Sequence, residues 1–111
     1  MAEKKAVTEL KEGDFAKFIA DKKAKLVVVD FFATWCFPCT MMAPILETVS
    51  EKLASKGVKA GKLDVDGASK TSTEYQISTI PCIVFFKNGK EAGRSGPLSE
   101  DELEKKIKSY L

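Results

Sequence analysis

Leu26-Val27-Val28-Val29-Asp30-Phe31-Phe32-Ala33-Thr34-Trp35-Cys36-Phe37-Pro38-Cys39 decides the fold of this 111-residue chain. Leu26 to Phe32 is almost continuously apolar and rich in β-branched and aromatic residues, which predicts a strand covered on both faces. Beyond Cys39 the spacing of apolar residues turns helical. On a helix, residues i and i+3 share a face, so Cys36 and Cys39 are expected to bring their sulfurs within bonding reach in the first turn. Cys36, earlier in that turn, should feel the unpaired amides and the positive end of the helix dipole, which favour its thiolate. Cys39, one turn deeper, is disfavoured as a thiolate by burial. The pair reads as a reversible dithiol/disulfide centre with Cys36 as nucleophile.

Outward from this site, Ala6-Val7-Thr8 reads as a short first strand and Asp14 as the N-cap of a helix whose buried face carries Phe15, Phe18 and Ile19. A long helix is predicted from about Trp35 to Lys56, with Met42, Ile45, Leu46, Val49 and Leu53 turned inward. Pro44 should kink it, because proline cannot donate toward Thr40 and clashes with that carbonyl. Gly57 is placed to end it. Val58 to Val65 reads as a third strand, and a short helix near Ala68 to Tyr75 follows. Cys82–Lys87 and Lys90–Gly93 flank Asn88-Gly89, a strong hairpin signal. Ser99 and Glu102 form a capping box, with Leu98 and Leu103 spaced as a hydrophobic staple and Leu103, Ile107 and Leu111 as the buried stripe of the last helix. The order predicts one α/β domain, residues 1–111, with helices on a mixed sheet.

Composition narrows the chemistry. The formal charge is only +2. The basic clusters at Lys22-Lys23-Ala24-Lys25 and Lys105-Lys106-Ile107-Lys108 are offset by nearby acids or lie on a helical pattern, so they read as solvated faces and no nucleic-acid partner is expected. The N-terminal region, with Glu3, Lys4, Lys5, Glu9, Lys11 and Glu12, lacks the apolar run of a signal peptide, and no segment is long enough to span a membrane. A cytoplasmic location is the resulting expectation. The chain has three cysteines and no histidine, which removes Cys-His and Ser-His catalysis and imidazole-bound zinc. Three thiolates fall one short of an all-cysteine tetrahedral site, so no metal is expected. In a reducing compartment the Cys-x-x-Cys pair points to redox or metal chemistry rather than to a structural disulfide framework.

With that order of elements and the Trp35-Cys36-x-Pro38-Cys39 motif, the chain resembles the thioredoxin family over essentially its whole length. Val29-Asp30-Phe31, Ala33, Pro44, Lys62-Leu63-Asp64-Val65-Asp66, Ile80-Pro81, Phe86-Lys87-Asn88-Gly89 and Gly96 match family landmarks. The resemblance implies a three-layer α/β/α sandwich around a mixed five-stranded sheet. It implies that Asp30 is a buried carboxyl serving as proton acceptor and donor for Cys39, with Lys62 beside it. The residues alone agree in kind, since an acid inside an apolar strand should have a raised pKa. The resemblance also implies a cis peptide before Pro81. Trp35, Phe37, Pro38, Ile80, Pro81 and Gly96 would surround Cys36 as an apolar docking surface for an extended substrate.

Three departures stand out. Phe37 occupies a position usually held by glycine, where it can enlarge the docking surface, obstruct a reductase, or stand as a tolerated exposed aromatic. Cys82 replaces a common threonine and either packs as a small hydrophobe or supplies a third thiol for regulation, glutathionylation or metal binding with Cys36 and Cys39. Phe32 replaces a common tryptophan, and Ser95 and Pro97 flank Gly96 in an unusual way. The expected activity is that of a monomeric protein-disulfide reductase and electron carrier with no bound cofactor, recycled by a thioredoxin reductase drawing on NADPH. The alternatives are an oxidant or isomerase on the same fold, a non-enzymatic binding module, or a metal-binding variant using Cys82. The absence of a histidine between the cysteines counts against the first of these.

Overall fold

The computed structural model describes residues 6–111. Its strands are β1 (Val7–Leu10), β2 (Leu26–Phe32), β3 (Val58–Asp64), β4 (Cys82–Lys87) and β5 (Lys90–Ser95), and its helices are α1 (Phe15–Ile19), α2 (Phe37–Leu53), α3 (Ser69–Glu74) and α4 (Glu100–Ser109). The five strands form one sheet in the order β1-β3-β2-β4-β5. β1, β3 and β2 run parallel, with Asp30 opposite Lys62, while β4 is antiparallel to both β2 and β5. This is the mixed sheet expected of the thioredoxin fold.

Alternation along the buried strands divides the core in two. Leu26 and Val28 of β2 and Ile83 and Phe85 of β4 pack with Met42, Leu46, Val49, Leu53, Leu103 and Ile107, so α2 and α4 cover one face. Val27, Val29, Phe31, Val84 and Phe86 pack with Phe15, Phe18, Ile19 and Ala68 on the other face, beneath α1 and the segment leading into α3. Phe15 lies at the centre of an aromatic cluster there, with Phe31, Tyr75 and Phe86 within 5.8 Å of it between ring centroids.

Most turn and cap signals do what their chemistry predicts. Asn88 and Gly89 take positive φ values of 54° and 78°, the backbone of a tight turn matched to strand twist. The Ser99–Glu102 capping box is closed in both directions, and Leu98 packs against the core that holds Leu103. Gly57, at φ 89°, ends the 3₁₀ turn Ala54–Lys56 that follows α2.

Other boundaries differ from expectation. β1 runs on to Leu10, and the Glu47 carboxylate of α2 accepts the N–H groups of Ala6 and Val7 at its start. The Asp14 side chain does not cap α1; it accepts the Lys11 N–H at 3.0 Å and closes the preceding 3₁₀ turn instead. α2 runs from Phe37 to Leu53, shorter at both ends than the Trp35 to Lys56 expected, with Pro44 inside it. Leu111 is not part of the α4 stripe: it is exposed, because the helix ends at Ser109 and Tyr110 takes the inward place, stacking on Phe85 at 5.1 Å.

Candidate active site

β2 delivers the site to the C-terminal edge of the parallel strands, the usual place for function in an open α/β sheet. Cys36 stands one position outside the helix rather than within its first turn. It is the N-cap of α2, with extended backbone at φ −92° and ψ 111°. Its sulfur does the work of a capping oxygen, accepting the Cys39 N–H at 3.3 Å, while Pro38 fits the first turn, where no amide donor is needed. Cys36 and Cys39 are joined in a disulfide with Cα atoms 5.3 Å apart. Both cysteines pack in a small cluster with Ala33, bordered by Phe32, Val65 and Ile80.

The Ile80–Pro81 peptide is cis, as the resemblance implied, and the Ile80 carbonyl oxygen lies 3.9 Å from Cys36 Sγ. Pro81 is buried and Ile80 half-buried. Trp35 and Phe37 are 70% and 73% exposed, which leaves large apolar faces open on either side of the first cysteine. Pro38 is exposed between the cysteines, and Gly96 is exposed just past β5, with open space where a side chain would stand. Two further participants escaped sequence reasoning. Asp66 accepts the Trp35 indole N–H at 2.7 Å, orienting that ring; it sits in the Lys62–Asp66 landmark but carried no readable role. Met41 is 57% exposed one turn beyond Phe37, a placement that the helical period alone could have supplied.

Behind the disulfide, a cleft of about 320 Å³ is lined by Asp30, Phe32, Ala33, Thr34, Cys39, Thr40, Ala43 and Lys62. Asp30 is 1% exposed, and its Oδ1 has no hydrogen-bond partner. Burial pushes its carboxyl up to about 7, and the Lys62 ammonium opposes that rise. Lys62 makes no ion pair with it: among the described residues, the salt bridges join Lys52 and Lys108 to Glu104, Lys59 to Asp21, Arg94 to Glu91 and Lys105 to Asp101. The ammonium instead lies 5.5 Å from the centroid of the Phe32 ring.

Cys82 does not join the other two cysteines. It opposes Phe31 on β2 and packs on the α1 face of the sheet, whereas Asp30 pairs with Ile83. Among the described residues no cluster of three cysteine or carboxylate side chains could hold a metal ion, so the arrangement required by the metal-binding alternative is not formed. Burial raises the Cys82 thiol pKa, partly opposed by the Arg94 guanidinium. The signal for that neighbour was the Asn88-Gly89 hairpin, which folds β5 back and sets Arg94 opposite Val84.

A disulfide-forming pair at a helix start, an exposed apolar rim and a buried carboxyl behind the second cysteine define a thiol-disulfide oxidoreductase. The comparisons agree. The family model Thioredoxin matches residues 6–109. The chain is 38% identical over 105 residues to the thioredoxin of Chlamydia trachomatis, covering 94% of this chain and 98% of that one. It is 41% identical over 106 residues to chloroplastic thioredoxin Y of Oryza sativa subsp. japonica, covering 93% of this chain but 62% of the rice protein. The solved structure of a Malassezia sympodialis thioredoxin superposes with a TM-score of 0.84 at 32% identity, over 99% of this chain and 95% of that one. The chain belongs to the thioredoxin family, and its chemistry is the reduction of protein disulfides through the Cys36–Cys39 pair.

Proposed function

We propose that Cys36 is the attacking thiolate and Cys39 the resolving thiol, with Asp30 as the proton acceptor for Cys39. In the reduced protein, Cys36 thiolate attacks one sulfur of a substrate disulfide; a mixed disulfide forms and the other substrate sulfur leaves as a thiolate. Cys39 passes its proton to the Asp30 carboxylate across the cleft, then attacks Cys36 Sγ. The Cys36–Cys39 disulfide forms, the second substrate thiolate leaves, and two electrons have moved to the substrate. The observation that carries this reading is the shared cleft, where Cys39 and a buried carboxyl with a pKa near neutrality face the same space.

Lys62 moderates the proton affinity of Asp30. Trp35, Phe37, Pro38, Ile80, Pro81 and Gly96 form the docking rim, where backbone groups at Ile80 hold an extended substrate segment beside Cys36. The whole chain, 1–111, acts as one monomeric domain in the cytoplasm. It needs no bound cofactor and serves as an electron carrier reloaded by a thioredoxin reductase that draws on NADPH. Among the described residues no helix is long and apolar enough to cross a membrane.

The test is trapping. Reduced Cys39→Ser protein mixed with a disulfide-bonded protein substrate should accumulate a covalent adduct through Cys36 that dithiothreitol releases, while Cys36→Ser protein should form none. An adduct through Cys82, or no adduct with Cys36 intact, would overturn the assignment.

A further inference from the structure

Lys62 starts opposite Asp30 on the neighbouring strand, its ammonium ends near the Phe32 ring, and from there it opposes the rise in the Asp30 pKa. β2 and β3 are parallel with Asp30 directly opposite Lys62, so the lysine stem begins beside the carboxyl. Asp30 and Phe32, two residues apart on one strand, share a face of the sheet. All three side chains line the cleft that also holds Cys39. The carboxyl is buried with Oδ1 unpartnered, yet the ammonium does not pair with it and lies 5.5 Å from the Phe32 ring centroid. That distance is within the range of a cation–π contact, and Phe32 is half-buried, so the attraction is only partly screened by water.

We infer that Phe32 is a positioning residue: its ring face holds the Lys62 ammonium apart from the Asp30 carboxyl and so sets how much of that positive charge Asp30 feels. The catalytic meaning rests on the proposed role of Asp30 as proton acceptor for Cys39. Few other charges compete for the carboxyl. The cleft contributes no titratable groups beyond Asp30, Lys62 on β3 and Cys39 on α2. On β4, Ile83 opposite Asp30 carries none, and Cys82 lies on the other face of the sheet, from where it still senses the charge of Asp30. Removing the ring would free the ammonium to spend time nearer the carboxyl and draw its proton affinity down.

The experiment is a double-mutant cycle on the full chain, read by carbon NMR of the Asp30 side-chain carboxyl through its titration. Phe32→Leu should lower the midpoint by roughly half a unit, the equivalent of one cation–π contact. In the Lys62→Met background the same Phe32→Leu change should move the midpoint far less. Phe32→Trp should retain the parent midpoint, and it provides a second comparison should Phe32→Leu fail to fold: changing Lys62 in a Phe32→Trp protein must then shift the midpoint as it does in the parent. A Phe32→Leu shift of equal size with and without Lys62, an upward shift, or no shift would overturn the inference. The readout is independent of turnover. If the cycle behaves as expected while Asp30→Asn leaves resolution of the mixed disulfide unchanged, the positioning stands and the proton-transfer role of Asp30 falls.

Discussion

A carboxyl that is 1% exposed with an unpartnered oxygen costs the fold stability whenever it is charged. Asp30 takes up its proton at about 7 in the native state, against an ordinary value of 3.8. Between those values the native state holds a proton that the unfolded chain has lost, so this group makes stability fall as pH rises and level off above the folded pKa. Asp30→Asn removes the titration. It should therefore be more stable than the parent above about pH 8, by up to roughly 4 kcal/mol, with the difference shrinking toward about pH 4. Urea midpoints of both proteins across that range check this, and a constant difference would contradict it. Cys82 belongs to a different class of residue. It is buried on the opposite face with its thiol pKa raised by burial, so it is a poor nucleophile at neutral pH. Cys82→Ala should keep turnover within about twofold and lose about 1 kcal/mol of stability, as measured by substrate reduction and denaturant unfolding. A turnover loss well beyond that would show that the third thiol participates.

The elements were legible wherever one strong local rule controlled them. The apolar run of β2, the Asn88-Gly89 hairpin and the Ser99–Glu102 box all formed as their residues dictate. Ser99→Ala should cost α4 about 1 kcal/mol, visible in the urea midpoint, with little change in turnover because the cap is not part of the site. Illegible features arose where a tertiary partner overrode local pattern. The i, i+4 spacing extended the α4 stripe to Leu111, but Phe85 offered Tyr110 a stacking partner, and the helix ended first. Asp14 looked like a helix cap and closed the preceding turn instead. In the site, the cysteines and Asp30 could be read from motif and burial. The Trp35–Asp66 bond and the seat of Lys62 on Phe32 could not, because both join separate segments. The exposed pair Phe37 and Met41, four residues apart on α2, forms an apolar strip beside Cys36. Phe37→Gly should leave urea stability within about 1 kcal/mol while raising KM for a protein disulfide with apolar flanking residues and leaving kcat little changed. Equal KM values would make Phe37 a bystander.

At the scale of the whole molecule, the sheet has two open edges, β1 and β5, and an open edge is a template for pairing with another copy. β1 is short, at four residues, with Thr8 and Glu9 exposed. β5 is longer and largely exposed, and it carries Lys90, Glu91 and Arg94. Arg94 is further committed, pairing with Glu91 at 2.7 Å and donating to the Tyr75 carbonyl at 2.9 Å. A second β5 laid alongside would have to desolvate those charges, a cost that exceeds the worth of exposed backbone hydrogen bonds. With both edges protected in this way, sedimentation should report a monomer at every accessible concentration. Replacing Lys90 and Glu91 together with Val and Ile removes the carboxylate partner of Arg94, leaves its bond to the Tyr75 carbonyl, and turns the edge apolar. That variant should fold and then self-associate as concentration rises. If it stays monomeric, the charges are not what keeps β5 unpaired; if the parent itself sediments as a dimer, the edge is already in use.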